Sequence, residues 1–257
     1  MESMWRSDFP ESTNPLRFFL FVSRPHWRPA VIALCAVVAG SIFFTSVAYV
    51  FKNITNAVAS IAAGSSSFGP LYLAVATYVL VLLLGQISIR VSGFNGAKWA
   101  TGARATARYS LTAYVTLHSR AYFSDRFAGS ISNKISHAGN GTRAMVEHVL
   151  WQFLELIVSI VTSFVIAYFA SPLIAWIFLL WVTVVFAINA YFSVRRVPLS
   201  SRAQKLETAL NGSTVDLLSN ITAMQEYARR LFEIERLKSM TDNRREAGLR
   251  NWRYGEW

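Results

Sequence analysis

The fold is decided by residues 149–192, which read VLWQFLELIVSIVTSFVIAYFASPLIAWIFLLWVTVVFAINAYF. One charged side chain, Glu155, occurs in this stretch, and the turn-forming residues Ala170-Ser171-Pro172 divide it. A helix needs about 20 apolar residues to cross the hydrocarbon core of a bilayer. The stretch therefore predicts two membrane-spanning helices, over 149–169 and 173–192, joined as a tight antiparallel hairpin.

Two more uncharged apolar windows lie upstream, at 29–51 and 71–89. The whole chain of 257 residues is 53% hydrophobic and 15% charged, whereas a soluble domain is roughly 25% charged. This composition excludes a soluble globular protein, a disordered chain and a disulfide scaffold. The sequence predicts an all-α membrane protein with four transmembrane helices and long cytoplasmic helical extensions.

The basic residues are distributed asymmetrically between the apolar windows. Of the 25 Lys and Arg residues, 24 lie before the first window, between the second and third, or after the fourth, and the remaining one is Lys52. Basic residues concentrate on the cytoplasmic side of membrane proteins. We therefore expect an integral membrane protein with both termini in the cytoplasm. This alternation between segments accounts for the net charge of +11, so the charge does not indicate a nucleic-acid partner and none is expected.

The segments outside the four windows predict further helices and one loop. Residues 15–28 mix aromatic, aliphatic and basic side chains and predict an interfacial elbow helix, so that 1–28 is separated from the membrane domain at 29–257. Residues 52–70 predict an outer loop. Apolar residues at helical spacing predict helices in both cytoplasmic segments, 90–148 and 193–257. The two stripes comprise Leu111, Val115, His118 and Tyr122, and Leu210, Leu217, Ile221, Met224, Ala228 and Leu231.

Polar residues inside the apolar windows are the candidates for a substrate pathway. Glu155 is the one charged residue there, and Gln152 and Asn189 could line the same cavity or bond helix to helix. A start of the third span after Glu155, with this carboxylate near the interface, is an equally good interpretation. A functional Glu155 would favour a cationic substrate or a proton.

Motifs for catalysis and metal binding are missing from the sequence. It contains no G-x-x-x-x-G-K-S/T phosphate loop, no H-E-x-x-H and no carboxylate cluster with metal-ligand spacing. No catalytic residue, no metal site and no cofactor bound by this chain is predicted. The energy for any transport would come from a gradient or from another domain or chain.

Two cytoplasmic stretches resemble the intracellular loops of ABC exporters of the type I fold. His118–Ile135 is similar to the first loop, and Val215–Ala228 is similar to the second. The Ser171-Pro172-Leu173 turn and the elbow before the first span also fit this family. The matching residues are Tyr122, Phe123, Asp125, Gly129, Lys134 and Ile135 in the first loop, and Asp216, Ile221, Met224 and Tyr227 in the second.

This resemblance implies an incomplete six-helix ABC exporter transmembrane domain. Its partners would be a nucleotide-binding ATPase domain that carries ATP and Mg, a second exporter half and membrane lipids, and its location the bacterial inner membrane. Two loop tips would be coupling helices that dock on the ATPase domain. The implied coupling residues are Phe123, Ser124, Asp125, Arg126, Phe127, Gly129, Ser219, Asn220, Ile221, Met224 and Tyr227.

The family pattern continues beyond the residues seen here. Its members have six spans followed by an ATPase, so we expect the 257 residues to be a truncated or fragmentary exporter half. His137, Gly139 and Asn140 also stand where the family often has an acidic residue. Two alternatives remain open on sequence alone: a self-standing four-span scaffold that oligomerises through its cytoplasmic helices, and a gradient-driven transporter that uses Glu155.

Overall fold

A computed structural model describes residues 14–64, 67–124, 128–227 and 230–256, and the described residues form helices without any strand. The chain divides into two compact units, Met1–Ala175 and Trp176–Trp257. The helices are α1 (Pro15–Ser23), α2 (Trp27–Ala62), α3 (Gly69–Thr116), α4 (Arg120–Ser124), α5 (Ala128–His148), α6 (Glu155–Ala170), α7 (Pro172–Ser219), α8 (Ile221–Glu226) and α9 (Arg230–Arg253).

Four stretches of helix are long and apolar enough to cross a membrane, which confirms the four predicted spans. They lie in Pro15–Ala62, Gly69–Thr116, Gly129–Ala170 and Pro172–Ser219. α3 and α7 each contain 48 residues, about 72 Å at 1.5 Å per residue, so both extend well beyond a hydrocarbon core of about 30 Å. The predicted continuation of membrane helices into long extensions is confirmed.

The predicted outer loop at 52–70 is wrong in extent. α2 continues to Ala62, and the chain turns at Ala63 and Gly64 before α3 starts at Gly69. Lys52 and the asparagines that follow it are tolerated in a helix, and the first strong breaker is Gly64, which has a φ of 100°. A left-handed φ of this kind suits glycine because it has no Cβ.

The first unit is built around close contacts between α2, α3 and α5. Small side chains at Ser92, Gly96, Ala100, Ala103 and Ala107 follow one face of α3 and are buried. They let neighbouring helices approach closely, which is how helices associate in membranes. The central apolar cluster consists of Val22, Ala30, Ala33, Val37, Trp99, Ala100, Ala103, Ala107, Val146 and Leu150.

The elbow helix α1 is anchored on α3. A 3-10 turn over Arg24–His26 follows α1, and His26 Nε2 forms a hydrogen bond of 3.1 Å with Thr106 Oγ1. A Cβ on Gly102 would lie 2.5 Å from the His26 ring, so glycine is required at this close approach. Phe19 adds a ring contact with Trp99, with centroids 6.1 Å apart. The elbow is therefore part of the core of the first unit.

The second unit contains most of α7, together with α8 and α9. Glu207 on α7 accepts a hydrogen bond from Arg244 on α9, and the Phe192 and Tyr254 rings lie 5.8 Å apart. α9 therefore runs back along α7. Pro198 lies inside α7 and lacks the N–H that would bond to the Val194 carbonyl. The ladder of α7 is thus weakened just after the apolar segment.

Candidate functional site

The first predicted coupling tip lies where α3 ends. The helix stops at Thr116, the chain turns through Leu117–Ser119, and α4 follows over Arg120–Ser124. Backbone N–H groups of Leu117 and His118 bond back to the Tyr114 and Val115 carbonyls and close the last turn of α3. The uninterrupted helical face predicted through Tyr122 is therefore broken by a turn.

An aromatic series braces this turn. His118 lies 5.0 Å from Tyr114 and 4.3 Å from Tyr122, measured between ring centroids, and Tyr122 makes an edge contact with Phe123 at 5.5 Å. These rings connect the end of α3 to α4 across the break. Phe123 ends the series and is 40% exposed, which leaves an apolar ring free for contact with another surface.

The other residues predicted for the first tip are Ser124, Asp125, Arg126, Phe127 and Gly129. Asp125, Arg126 and Phe127 lie outside the described residues. Ser124 is the last residue of α4, and Gly129 is exposed in the first turn of α5. A Cβ on Gly139, further along α5, would lie 2.7 Å from Arg108 Cγ. α5 thus packs closely on α3, which leaves the α3–α5 connection at the end of a paired arm.

The second predicted tip is a short helix between two long ones. α7 ends at Ser219, Asn220 precedes α8, and Tyr227 follows α8. The Asn220 side chain donates a hydrogen bond of 2.9 Å to the Asp216 carbonyl, while the Asn220 carbonyl accepts one of 3.0 Å from the Met224 N–H. Asn220 therefore both ends α7 and starts α8. This break also interrupts the stripe predicted from Leu210 to Leu231.

The outer face of the second tip is apolar and accessible. Tyr227 is 77% exposed and Ile221 is also exposed, whereas Met224 is half-buried. Met224 lines a cavity of about 310 Å³ enclosed by α7, α8 and α9, together with Asp216, Leu217, Tyr227, Glu233, Arg236 and others. The cavity lies between α8 and the helices behind it.

The polar residues predicted for the substrate pathway fall in different parts of the chain. Gln152 lies in a π-helical segment, Val149–Leu154, and Glu155 begins α6 directly after it. The Gln152 Oε1 atom lies 2.8 Å from His148 Nδ1, and Glu155 is exposed. Because the helix is continuous from α5 through this segment, Glu155 does not lie at a free helix N-terminus, and its place in a substrate pathway stays a prediction.

Asn189 belongs to the second unit. Its Nδ2 donates a hydrogen bond of 2.8 Å to the Val185 carbonyl of its own helix, and it lines a cavity of about 400 Å³ between α7 and the end of α9. The structure therefore brings Gln152 and Glu155 together and places Asn189 in the other unit. No group of three or more His, Cys, Asp or Glu side chains in the described part of the chain could hold a metal ion.

Sequence reasoning did not find the π-helical segment or the residues that the structure places around it. The Trp151 Nε1 group donates a hydrogen bond of 3.4 Å to Ser92 Oγ, and a Cβ on Gly96 would lie 2.8 Å from the Trp151 ring. These contacts fix the start of α6 against α3. The only sequence signal was the pair of small residues, Ser92 and Gly96, on one face of a helix.

Comparison with known proteins gives one positive finding. Residues 30–254 match the family model described as the ABC transporter transmembrane region. No curated protein matches the chain. The matched range covers nearly all of the described residues, from the start of α2 to the end of α9, and leaves the elbow helix α1 outside it.

Proposed function

The chain belongs to the family of ABC transporter transmembrane regions, and on this premise we propose that it is the permease part of an ATP-driven exporter. As an integral membrane protein it would form part of the substrate pathway and would transmit movement from an ATPase domain. The family membership favours this function over the scaffold and the gradient-driven transporter that the sequence left open.

One observation carries the coupling role: an exposed aromatic ring sits at each of two helix breaks beyond the membrane spans. Phe123 lies in α4, the short helix that follows α3, and Tyr227 directly follows α8, the short helix after α7. Each ring is therefore close in sequence to the end of a 48-residue helix. A continuous helix can carry a displacement of its tip to the span, and α7 remains helical through Pro198 although one hydrogen bond is missing there. An ATPase domain that held these rings would therefore move the membrane helices.

The partners and location follow from this proposal. ATP and Mg would be bound by the ATPase domain, while this chain would contribute no catalytic residue. A second exporter half would complete the pathway, and the bacterial inner membrane would be its location. Glu155, Gln152 and Asn189 are the polar residues that we propose for the pathway. The domain division is an elbow at 1–28 followed by the membrane domain at 29–257.

The decisive experiment changes the two exposed rings in the transporter that contains this chain and its ATPase domain. We expect Tyr227→Ala and Phe123→Ala to reduce ATP-driven transport in vesicles about tenfold or more, because loss of a buried interface aromatic commonly costs 2 kcal/mol or more, or roughly 30-fold in affinity. ATP binding, measured with a fluorescent nucleotide analogue, is expected to stay at the wild-type level.

Two matched substitutions control for the loss of an aromatic ring. Tyr72→Ala near the start of α3 and Phe169→Ala at the end of α6 remove exposed rings that lie far from the tips along their helices. Transport at wild-type rates is expected for both. The coupling role is refuted if full ATP-driven transport survives when both Tyr227 and Phe123 are replaced.

A further inference from the structure

A cavity of about 400 Å³ lies between α7 and the end of α9, where the apolar part of α7 gives way to charged residues. The sequence from Pro172 to Phe192 has no charge, and Arg195 and Arg196 are the first charged residues after it. The cavity therefore opens at the edge of a membrane span. Its lining residues are Phe186, Asn189, Ala190, Phe192, Ser193, Arg196, Tyr254 and Gly255.

Arg196 gives this cavity a positive charge that the described lining does not neutralise. Its Nε donates a hydrogen bond of 3.3 Å to Asn251 Oδ1, and no acidic side chain of the described residues pairs with it. Among the described residues, no carboxylate lines the cavity. The Glu256 carboxylate, one residue after Gly255, accepts a hydrogen bond of 2.8 Å from Trp252 Nε1 and is not among the residues that line the cavity.

The guanidinium of Arg196, an exposed residue, closely approaches the backbone at Gly255. A Cβ on Gly255 would lie 2.7 Å from Arg196 Cζ and 2.7 Å from Nη1, so the group lies directly against this glycine. The contacts with Asn251 and Gly255 orient this exposed side chain toward the cavity that it lines. The planar fork of guanidinium donors is well suited to a phosphate, which arginine binds through two parallel hydrogen bonds.

Apart from Asn189 and Ser193, the other residues that line the cavity are apolar or aromatic. Phe186 lies about two helical turns before Ser193 on α7, and the Phe192 and Tyr254 rings meet at 5.8 Å. The Arg195 guanidinium is placed 4.3 Å from the Tyr191 ring centroid and adds a second positive charge on the same turn of α7. A cation beside an apolar wall at the edge of a span matches a molecule with a charged head and a hydrocarbon chain.

We propose that this cavity binds the phosphate group of an anionic phospholipid, with Arg196 and Ser193 as donors and Phe186 beside the acyl chain. The site lies in the second unit and needs neither an ATPase domain nor the export function. The experiment could therefore refute the lipid site while the export function stands, and a loss of the export function would leave the lipid site untouched. The same chemistry is offered by a free phosphate compound, and the experiment separates these two sources.

Native mass spectrometry of the 257-residue chain in detergent tests the site with three probes: dioleoylphosphatidylglycerol, dioleoylphosphatidylcholine and inorganic phosphate. We expect phosphatidylglycerol to bind about tenfold more tightly than phosphatidylcholine, since a net negative headgroup leaves the arginine charge better compensated. Arg196→Gln is expected to remove about tenfold of that affinity. Arg245→Gln, which removes an exposed arginine of α9 whose partner is Asp242 at 3.5 Å, is the matched control and is expected to change it by less than about twofold.

A second variant keeps the charge and changes only its position. Gly255→Ala introduces a Cβ against the guanidinium and is expected to weaken phosphatidylglycerol binding while circular dichroism shows an unchanged helix content. If Arg196→Gln does not fold, the binding of phosphatidylglycerol to Gly255→Ala tests the site instead. Equal binding of the two lipids, or equal losses in Arg196→Gln and Arg245→Gln, would overturn the site. If millimolar inorganic phosphate displaces phosphatidylglycerol, the lipid is refuted as the ligand and a soluble phosphate compound is favoured.

Discussion

At the scale of single residues, glycine packing decides where the helices of the first unit can meet. Gly96 faces Leu150, which is fully buried, and the Trp151 ring, whereas Gly93 on the same helix has open space around it. A Cβ on Gly96 would lie 2.8 Å from Trp151 and 3.0 Å from Leu150 Cδ1, and the fully buried Leu150 has no solvent-exposed side into which it could move. The two glycines therefore have opposite roles within one helix.

We predict that Gly96→Ala destabilises the chain by about 1–3 kcal/mol, the usual effect of an extra methyl group in a filled core. Gly93→Ala, the control, is expected to raise stability by about 0.5–1 kcal/mol because alanine loses less backbone freedom in a helix. Thermal unfolding in detergent, followed by circular dichroism, measures both. Equal unfolding temperatures for the two variants would contradict the packing seen at Gly96.

At the scale of elements, the π-helical segment Val149–Leu154 joins α5 to α6 without a break in the chain direction. A π turn closes its hydrogen bond one residue later than an α turn, so the segment contains one residue more than a continuous α-helix would need. Such segments occur often at functional sites. Here the extra residue lets Leu150 and Trp151 face α3 while Gln152 meets His148.

We predict that deletion of Phe153, an exposed residue of the segment, converts it to α-helix and leaves the faces of α5 and α6 in register. Deletion of Val161, an exposed residue inside α6, rotates everything after it by about 100° and exposes different side chains to the core. The unfolding temperature should therefore fall much further for the Val161 deletion. The reverse order would show that the π-helical segment is not an inserted residue.

At the scale of the whole molecule, the orientation in the membrane follows from charge. The positive-inside bias predicts that the α2–α3 connection lies outside the cytoplasm and that α9 lies inside it. Single cysteines at Ala63 and Ser239, in a background where the exposed Cys35 is replaced by Ser, report on these two positions. A membrane-impermeant maleimide should label Ala63→Cys in intact cells and Ser239→Cys only after permeabilisation. The opposite pattern would reverse the orientation.

The sequence alone determined the helical class, the four spans and the two long helical extensions beyond them. These features depend on local runs of apolar residues and on the distribution of charges, which are properties of the sequence and do not depend on how the helices pack. The order of the loop motifs relative to the spans was also readable, and the family match over 30–254 confirms the ABC resemblance. The roles of the tip residues stay predictions.

Only the tertiary structure decided which residues meet. The helix break at Asn220, the Gly102 approach to His26 and the contact between Arg196 and Gly255 had no local signal. Each depends on contacts between residues that are distant in sequence or on turn hydrogen bonds whose choice depends on packing. Local hydrophobicity determines whether a segment is a helix, but the close approach of two helices is set by the side chains of both at once.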